Sequence, residues 1–493
     1  MTTSTIRTAA GSDRLPLAHK LGGGFGQVLE GMATQSLNLF LLFYATAVCG
    51  LPGGLAGLAL AVGLVVDAVV DPLIGSLSDN HRSRWGRRLP FMAVGLPATC
   101  VLLVLIFSVP PGLSTSATFA WFAGCAVLLR IAISLWMLPF QATIAELSQD
   151  YRERSAIVAW RWALGIIGTL ATIGLGFGVF LSGPAGMMDR PAYTPFAITL
   201  AGIVFVAGLI AMRTVHRSMP VRERPAPPPG GSYWRVFTEL AEVFRNASFR
   251  VLFTDALLFF SALGAHQALG LHINSFFWRL APEQIQVVTL SVYVGLLVGA
   301  PFAAPLVGRL EKRTLLMVGI TGLALANCLP ATLRLLGAFP FEGTGLVIAL
   351  STMFLFGGIL MSVAAIAFGS MMADATDEHE HLFGARREGL YFAGWSFASK
   401  AASGVGALIA GVVLQIVHFP ASGPHAGAPK PVVSATTLHE LALFYGPGTG
   451  VLFLGAVLLA AFYRLDASRH AAILASLSQR RTVASDPSPL SPL

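Results

Sequence analysis

The stretch Asp67–Pro90, DAVVDPLIGSLSDNHRSRWGRRLP, decides how the rest of the chain is read. Its first part closes an apolar run that begins near Leu55, and Asp67 and Asp71 lie inside that run, four residues apart. Four residues is about one helical turn, so both carboxylates sit on one face of a helix. Arginines then arrive together as Arg82, Arg84, Arg87 and Arg88. Burying a carboxylate in an apolar medium costs several kcal/mol unless it is paired, protonated or coordinating an ion. Two acids in a membrane helix with a basic loop at its exit therefore point to a working centre, and the remainder of the chain is fitted around it.

Composition agrees with a membrane helix. Hydrophobic residues make up 55% of the 493, charged residues only 11%, and mean hydropathy is +0.72, whereas a soluble domain carries roughly 25% charge. The net charge of +8 would suggest nucleic acid in a soluble protein. Here the basic residues cluster in short loops, as membrane orientation requires, and nucleic acid is not an expected partner. Cys49, Cys100, Cys125 and Cys328 stand in apolar surroundings without paired spacing and read as small packing residues. The first twenty residues are polar and contain no cleavable signal, so the first span is expected to direct insertion.

Apolar runs of spanning length, about 20 residues, fall near 22–48, 53–79, 90–109, 118–146, 157–182 and 195–215, then near 248–277, 285–308, 314–337, 344–373, 388–418 and 440–463. That is six and six. Residues 216–247 between them are charged and contain PAPPPGG, a linker composition. The expected architecture is all-α: twelve transmembrane helices in two pseudo-repeated six-helix halves, 1–215 and 248–464, with a cytoplasmic tail at 465–493. Of the 32 Lys and Arg, 25 fall on one side of this layout and 4 on the other, which places both termini in the cytoplasm. Arg130, Arg161 and Lys400 remain within spans.

The loop motif GSLSDNHRSRWGRR resembles the loop 2–3 signature of the major facilitator superfamily, where Gly75, Asp79, Arg84, Gly86, Arg87 and Arg88 imply a charge network at a cytoplasmic gate. Asp67–Phe91 is similar to the helix II pattern of the glycoside–pentoside–hexuronide:cation symporters, the melibiose permease family. ADATDEHEHLFGARREGLYFAGWSFASK (373–400), LPFQATIAELSQDYRERSAIVAWRW (138–162) and KLGGGFG (20–26) extend that resemblance across both halves. The resemblance implies a secondary active transporter rather than an enzyme: cation-coupled symport of a sugar- or glycoside-like solute by alternating access, in a bacterial-type inner membrane, as a monomer. No cofactor or metal is implied beyond a coupling H⁺ or Na⁺. The family's cation-site acids fall on Asp67 and Asp71, a sodium-holding hydroxyl on Ser134, a helix V arginine on Arg161 and the helix XI lysine on Lys400. Val70 replaces an asparagine ligand. The galactoside-binding aspartates fall on Gly31 and Met137 and the aromatic sugar platform on Gln141, with Glu30 a partial substitute. A melibiose-like cargo is not implied, and the wider group includes a lysolipid transporter, so a lysolipid or other amphiphile is the alternative. A non-transporting sensor or scaffold is the alternative of another class; it would need no buried acid pair and would usually carry a soluble output domain.

Residues read without the resemblance complete the candidate set. Arg130 is placed to bind an anionic group or pair with Glu30. His266, His272, Gln267 and Asn274 are candidates to line the cavity, and Trp136 and Trp395 to stack on a sugar ring. The cluster Asp374, Asp377, Glu378, His379, Glu380 and His381 is expected on a cytoplasmic loop, forming a gate network with Arg386 and Arg387 rather than a metal site.

Overall fold

The structure is a computed structural model that describes residues 16–81, 83, 85–146, 151–183, 186–218, 241–420 and 432–485. Among these the chain is helical throughout. The elements are α1 Leu17–Gly24, α2 Gly26–Ser36, α3 Gly53–Asn80, α4 Leu89–Ile106, α5 Thr115–Glu146, α6 Tyr151–Leu175 and α7 Arg190–Ser218. The second half supplies α8 Ala247–His272, α9 Pro282–Val307, α10 Lys312–Leu335, α11 Gly343–Phe383, α12 Glu388–Ile416, α13 Ala435–Leu443, α14 Thr449–Ala460 and α15 Ala467–Ser485. Eleven spans are long and apolar enough to cross a membrane. The first expected span is supplied by α2, which continues through π-turns at Leu37–Leu41 and Tyr44–Val48. Such π-turns concentrate at functional sites. Among the described residues these eleven spans and the α2 segment fall where the hydropathy pattern predicts spans. Most of the expected linker, and Arg84, lie outside the described residues.

Two apolar cores form, one dominated by the first half and one by the second. Prolines inside helices fall near the charged centre: Pro72 follows Asp71 directly, and Pro139 lies five residues past Ser134. Each removes one helical hydrogen bond and leaves a carbonyl free in the span.

The sequence expectation of a loop at Asp374–His381 is corrected. α11 runs 41 residues without a break, carrying that acidic cluster on a helical extension. From Ser370 to Phe383 the helix contains no Gly or Pro, and Gly384 ends it in the left-handed conformation at φ 76°.

The halves meet as a wedge. On α3, Gly53 and Gly57 press against Gly411 of α12; a Cβ added to Gly411 would stand 2.7 Å from the Gly57 Cα. Further along, Gly404 meets Leu64. Thr46 and His272 share a hydrogen bond of 2.8 Å across the halves, and Tyr293 donates to Gln35 at 2.9 Å. One turn beyond Asp71 on the same α3 face, a Cβ on Gly75 would meet nothing within 4 Å among the described residues, and the same holds at Gly389 near the start of α12. The halves are thus locked at the end remote from the arginine loop and parted at the end nearest it.

Candidate functional site

Where the wedge begins to part, charges from α2, α3, α5, α6 and α12 converge. The α3 turn from Asp67 to Asp71 brings both carboxylates to face α5 and α12, with Asp67 only 3% exposed. Ser134 of α5 stands between them, its Oγ 2.8 Å from Asp67 Oδ1 and 2.6 Å from Asp71 Oδ1. Lys400 of α12 reaches across from the second half, its Nζ 3.1 Å from Asp67 Oδ2 and in direct contact with Asp71 Oδ2. The ammonium is thus held between the two acids that the sequence pairs.

A hydroxyl has one proton to donate. Ser134 therefore donates to one carboxylate at a time, standing within hydrogen-bond reach of both.

A second layer backs the first. Glu30 on α2 contacts Gln27, one turn earlier on the same helix, and Gln27 Oε1 accepts from Arg161 Nη2 at 2.8 Å. The Arg161 guanidinium also stands over the Phe140 ring, 5.2 Å from its centroid. Glu30 lies within electrostatic reach of Lys400, Arg161 and Asp67, and Arg130 within reach of Asp67, Asp71 and Glu30. Three acids and three bases therefore gather in one partly buried network. Gln27 has no charge and belongs to no quoted motif; only its helical spacing to Glu30 marks it in the sequence.

Above the network, between the halves, lies a cavity of about 70 Å³. Its polar lining is Asn38, Arg130, Gln267 and Ser403, and Leu60 and Phe260 are among its apolar walls. Ligand sites run to about 300–1,000 Å³, so in this conformation the cavity is collapsed.

Other candidates fall elsewhere. His266 does not line the cavity; it stacks on Tyr445 at 4.0 Å between ring centroids, and its neighbour Gln267 faces the cavity instead. One residue is a 100° rotation about a helix, enough to exchange the two. Trp395 packs beside Phe368 and Phe392 in the second core, not against the cavity. Gln141 is exposed, and Trp136 is buried, donating to the Gly26 carbonyl. At Gly31 an added Cβ would collide with the Gly165 carbonyl oxygen of α6, so close helix approach excludes a side chain there. Sequence reasoning passed over Asp255 on α8, which is fully buried, with neither carboxyl oxygen hydrogen-bonded.

The expected gate residues form pairs. Arg88 and Asp79 bond at 2.8 Å, Arg386 bonds Asp377 at 2.8 Å and reaches Glu388, and Arg387 approaches Glu242 at 3.7 Å. α15, an unexpected participant, docks on the α11 extension: Arg469 pairs with Glu378 at 3.0 Å and His470 with Asp377 at 3.1 Å. Asp374, meanwhile, pairs with Lys312 at 2.6 Å. The Asp466 carboxyl caps α15 and is held below its ordinary range by the Arg469 backbone N–H and the Ser468 hydroxyl.

Residues 22–467 match the sequence profile of a family described as MFS/sugar transport protein. The chain belongs to that family. It is therefore a multi-pass membrane protein of a transporter family. Among curated relatives, the inner membrane symporter YicJ of Escherichia coli is 26% identical over 95% of this chain and 96% of its own. The glucuronide carrier protein homolog of the same organism is 26% identical over 81% and 83%. The crystal structure of a D-xylose-proton symporter shares the fold, with a TM-score of 0.60, 16% identity and coverage of 91% and 97%.

Proposed function

We propose that the protein is a cation-coupled symporter of a sugar- or glycoside-like small solute, working by alternating access, with both termini in the cytoplasm and no chemical step on the cargo. The observation that carries this reading is the Lys400 ammonium lodged between Asp67 and Asp71. A tethered cation bridges the two halves at the place where a free cation would bind. A coupling ion entering the pair displaces the lysine and removes the bridge, so the ion has a different interaction energy in the two conformations, which coupling requires. With that orientation the conformation is closed to the outside and parted toward the cytoplasm. The Arg88–Asp79 and Arg386–Asp377 pairs then belong to the cytoplasmic gate.

Protons are the better coupling ion. Val70 offers no oxygen to a sodium ion, whereas a proton needs only one carboxylate of the pair. A lysolipid or other amphiphile is the second reading, favoured by the leucine and phenylalanine walls of the cavity.

Uptake of labelled sugars and lysolipids into proteoliposomes under imposed gradients tests this. Gradient-driven sugar accumulation by the wild type, lost in Asp67→Asn and Asp71→Asn while downhill exchange persists, is the expected result. Full accumulation by both variants overturns the assignment.

A further inference from the structure

Of the three acids in the charged network, Glu30 is the one that no cation touches. Among the described residues its side chain makes a single hydrogen bond, accepted at Oε2 from Gln27 Nε2, and no ion pair. The Gln27 amide is oriented: its oxygen accepts from Arg161 Nη2 at 2.8 Å and Nε at 3.3 Å, so its nitrogen is turned to the carboxylate. Gln27 thereby stands between the guanidinium and Glu30. A carboxylate in a membrane span without a cation in contact is costly, and Oε1 has no donor among the described residues.

Its position points to the missing partner. Gly26 of α2 is gripped by α5: Trp136 Nε1 donates to the Gly26 carbonyl at 3.1 Å, and a Cβ on Gly26 would collide with the Phe140 ring. As first and fourth spans, α2 and α5 run antiparallel. One turn along α2 from Gly26 is Glu30, and half a turn back along α5 from Trp136 is Ser134, within hydrogen-bond reach of both Asp67 and Asp71. Glu30 therefore stands beside the acid pair. Of the charged groups within its electrostatic reach, Lys400 acts on it most strongly, ahead of Arg161 and Asp67. The Lys400 side chain is 35% exposed, so its flexible stem has room to turn.

We propose that Glu30 is the second station of the Lys400 ammonium: when a coupling cation enters the Asp67–Asp71 pair, the lysine moves to the Glu30 carboxylate. Resting on the symport reading above, this supplies what the displacement needs. A displaced ammonium with no carboxylate to meet is an unpaired charge inside the protein, and its cost opposes cation binding. With Glu30 as acceptor, each acid of the network has a cation in contact after the exchange. The bridge from α12 to α3 gives way to a link from α12 to α2. Glu30 is then a positioning residue of the coupling step, not a ligand of the cargo.

Two measurements on the full chain test it. In the purified wild type, zero-length carbodiimide coupling read by mass spectrometry reports which carboxyl Lys400 touches. Raising sodium at fixed pH, or lowering pH without sodium, should raise the ratio of Lys400–Glu30 product to Lys400–Asp67 and Lys400–Asp71 product at least about tenfold. An unchanged ratio with both ions overturns the inference. In proteoliposomes, counterflow of labelled pentoses, hexoses and their methyl glycosides gives the ion dependence. Glu30→Gln should raise the half-saturating concentration of the coupling ion at least about tenfold, with the sugar KM at saturating ion unchanged. Placed in the Lys400→Met background, Glu30→Gln should shift it less than about twofold. A full shift in that background means that Glu30 attracts the cation directly, and a raised sugar KM with unchanged ion dependence makes it a cargo ligand; either result overturns the inference. A wild type that shows the change in lysine contact, yet accumulates none of these sugars under an inward proton or sodium gradient, overturns the symport reading and leaves the lysine switch standing. The carbodiimide measurement decides the matter even if Glu30→Gln fails to fold.

Discussion

Lys400 and Asp71 lie 329 residues apart in the chain, on different halves, and meet in a direct ion pair that Asp67 shares at 3.1 Å. The contact sits at the narrow point of the wedge: tight glycine packing lies on one side of it, and open space beside Gly75 on the other. On the proposed symport reading, a cation entering the acid pair competes with this lysine, and the contact then links site occupancy to the angle between the halves.

Lys400→Met removes the competitor. The acid pair then lacks its cation and retains protons or binds an ion without needing the halves to move. The cost to stability is below the about 3–5 kcal/mol of a broken fully buried pair, because the lysine side chain is 35% exposed and the acids take up a proton. Counterflow exchange should persist while accumulation against a gradient is lost. Wild-type accumulation by this variant would remove Lys400 from the coupling scheme.

Gly411→Leu acts on the locked end. Its Cβ would stand 2.7 Å from the Gly57 Cα, so the closed packing cannot be kept. Overpacking costs about 1–3 kcal/mol, enough to shift a balanced equilibrium roughly tenfold. Spin labels at Leu77 and Phe397, both exposed near the parted end, should report shorter distances in the variant. Unchanged distances would mean that the α3–α12 glycine contact does not set the conformation.

Gly31→Asp tests whether a lost sugar-binding acid can simply be restored. The Gly165 backbone occupies the space for any side chain at this position, so α2 and α6 must separate. The variant should melt lower, by about 1–3 kcal/mol of stability, and gain no galactoside binding. Calorimetry with and without a galactoside reads both; tighter galactoside binding at unchanged stability would contradict it.

The charged members of the site were legible because an ionisable residue in an apolar run stands out: Asp67, Asp71, Arg130, Arg161 and Lys400 are all of this kind. Ser134 is chemically ordinary and came from family resemblance. Tertiary direction was not legible. His266 and Gln267 are adjacent, and only packing against Tyr445 settles which of them faces the cavity. The Gln27–Arg161 bond joins residues 134 positions apart, which no local pattern encodes. The α11 extension was misread because a polar, acidic stretch after an apolar run looks like a loop, although nothing in it breaks a helix before Gly384.

Asp466 gives a pH dependence with a definite sign. Its carboxyl is held below its ordinary range by the Arg469 N–H and the Ser468 hydroxyl, so capping stabilises α15 above the ordinary carboxylate range. That stabilisation is lost as pH falls through the depressed value. Hydrogen exchange at the first amides of α15 should be slow at neutral pH and quicken in acid, relative to amides of α11. Asp466→Ala should show fast exchange at both pH values. Equal protection in the wild type and Asp466→Ala would show that docking on α11, not the cap, holds the helix.

Ser134→Ala separates the two coupling ions. The hydroxyl oxygen contacts both acids, and in a sodium site it would be one of few protein oxygens able to replace lost water. Removing it should raise the half-saturating sodium concentration at least about tenfold if sodium is the coupling ion, given the 1.5–3 kcal/mol of a bond to a charged group. A proton needs only one carboxylate. Under the proton reading, wild type and variant should both accumulate cargo under a pH gradient in sodium-free buffer, the variant more slowly. Adding sodium should change neither. Strict sodium dependence in the wild type, with that dependence weakened in Ser134→Ala, would establish sodium coupling despite Val70. It would also identify the serine oxygen as a ligand in place of the missing asparagine.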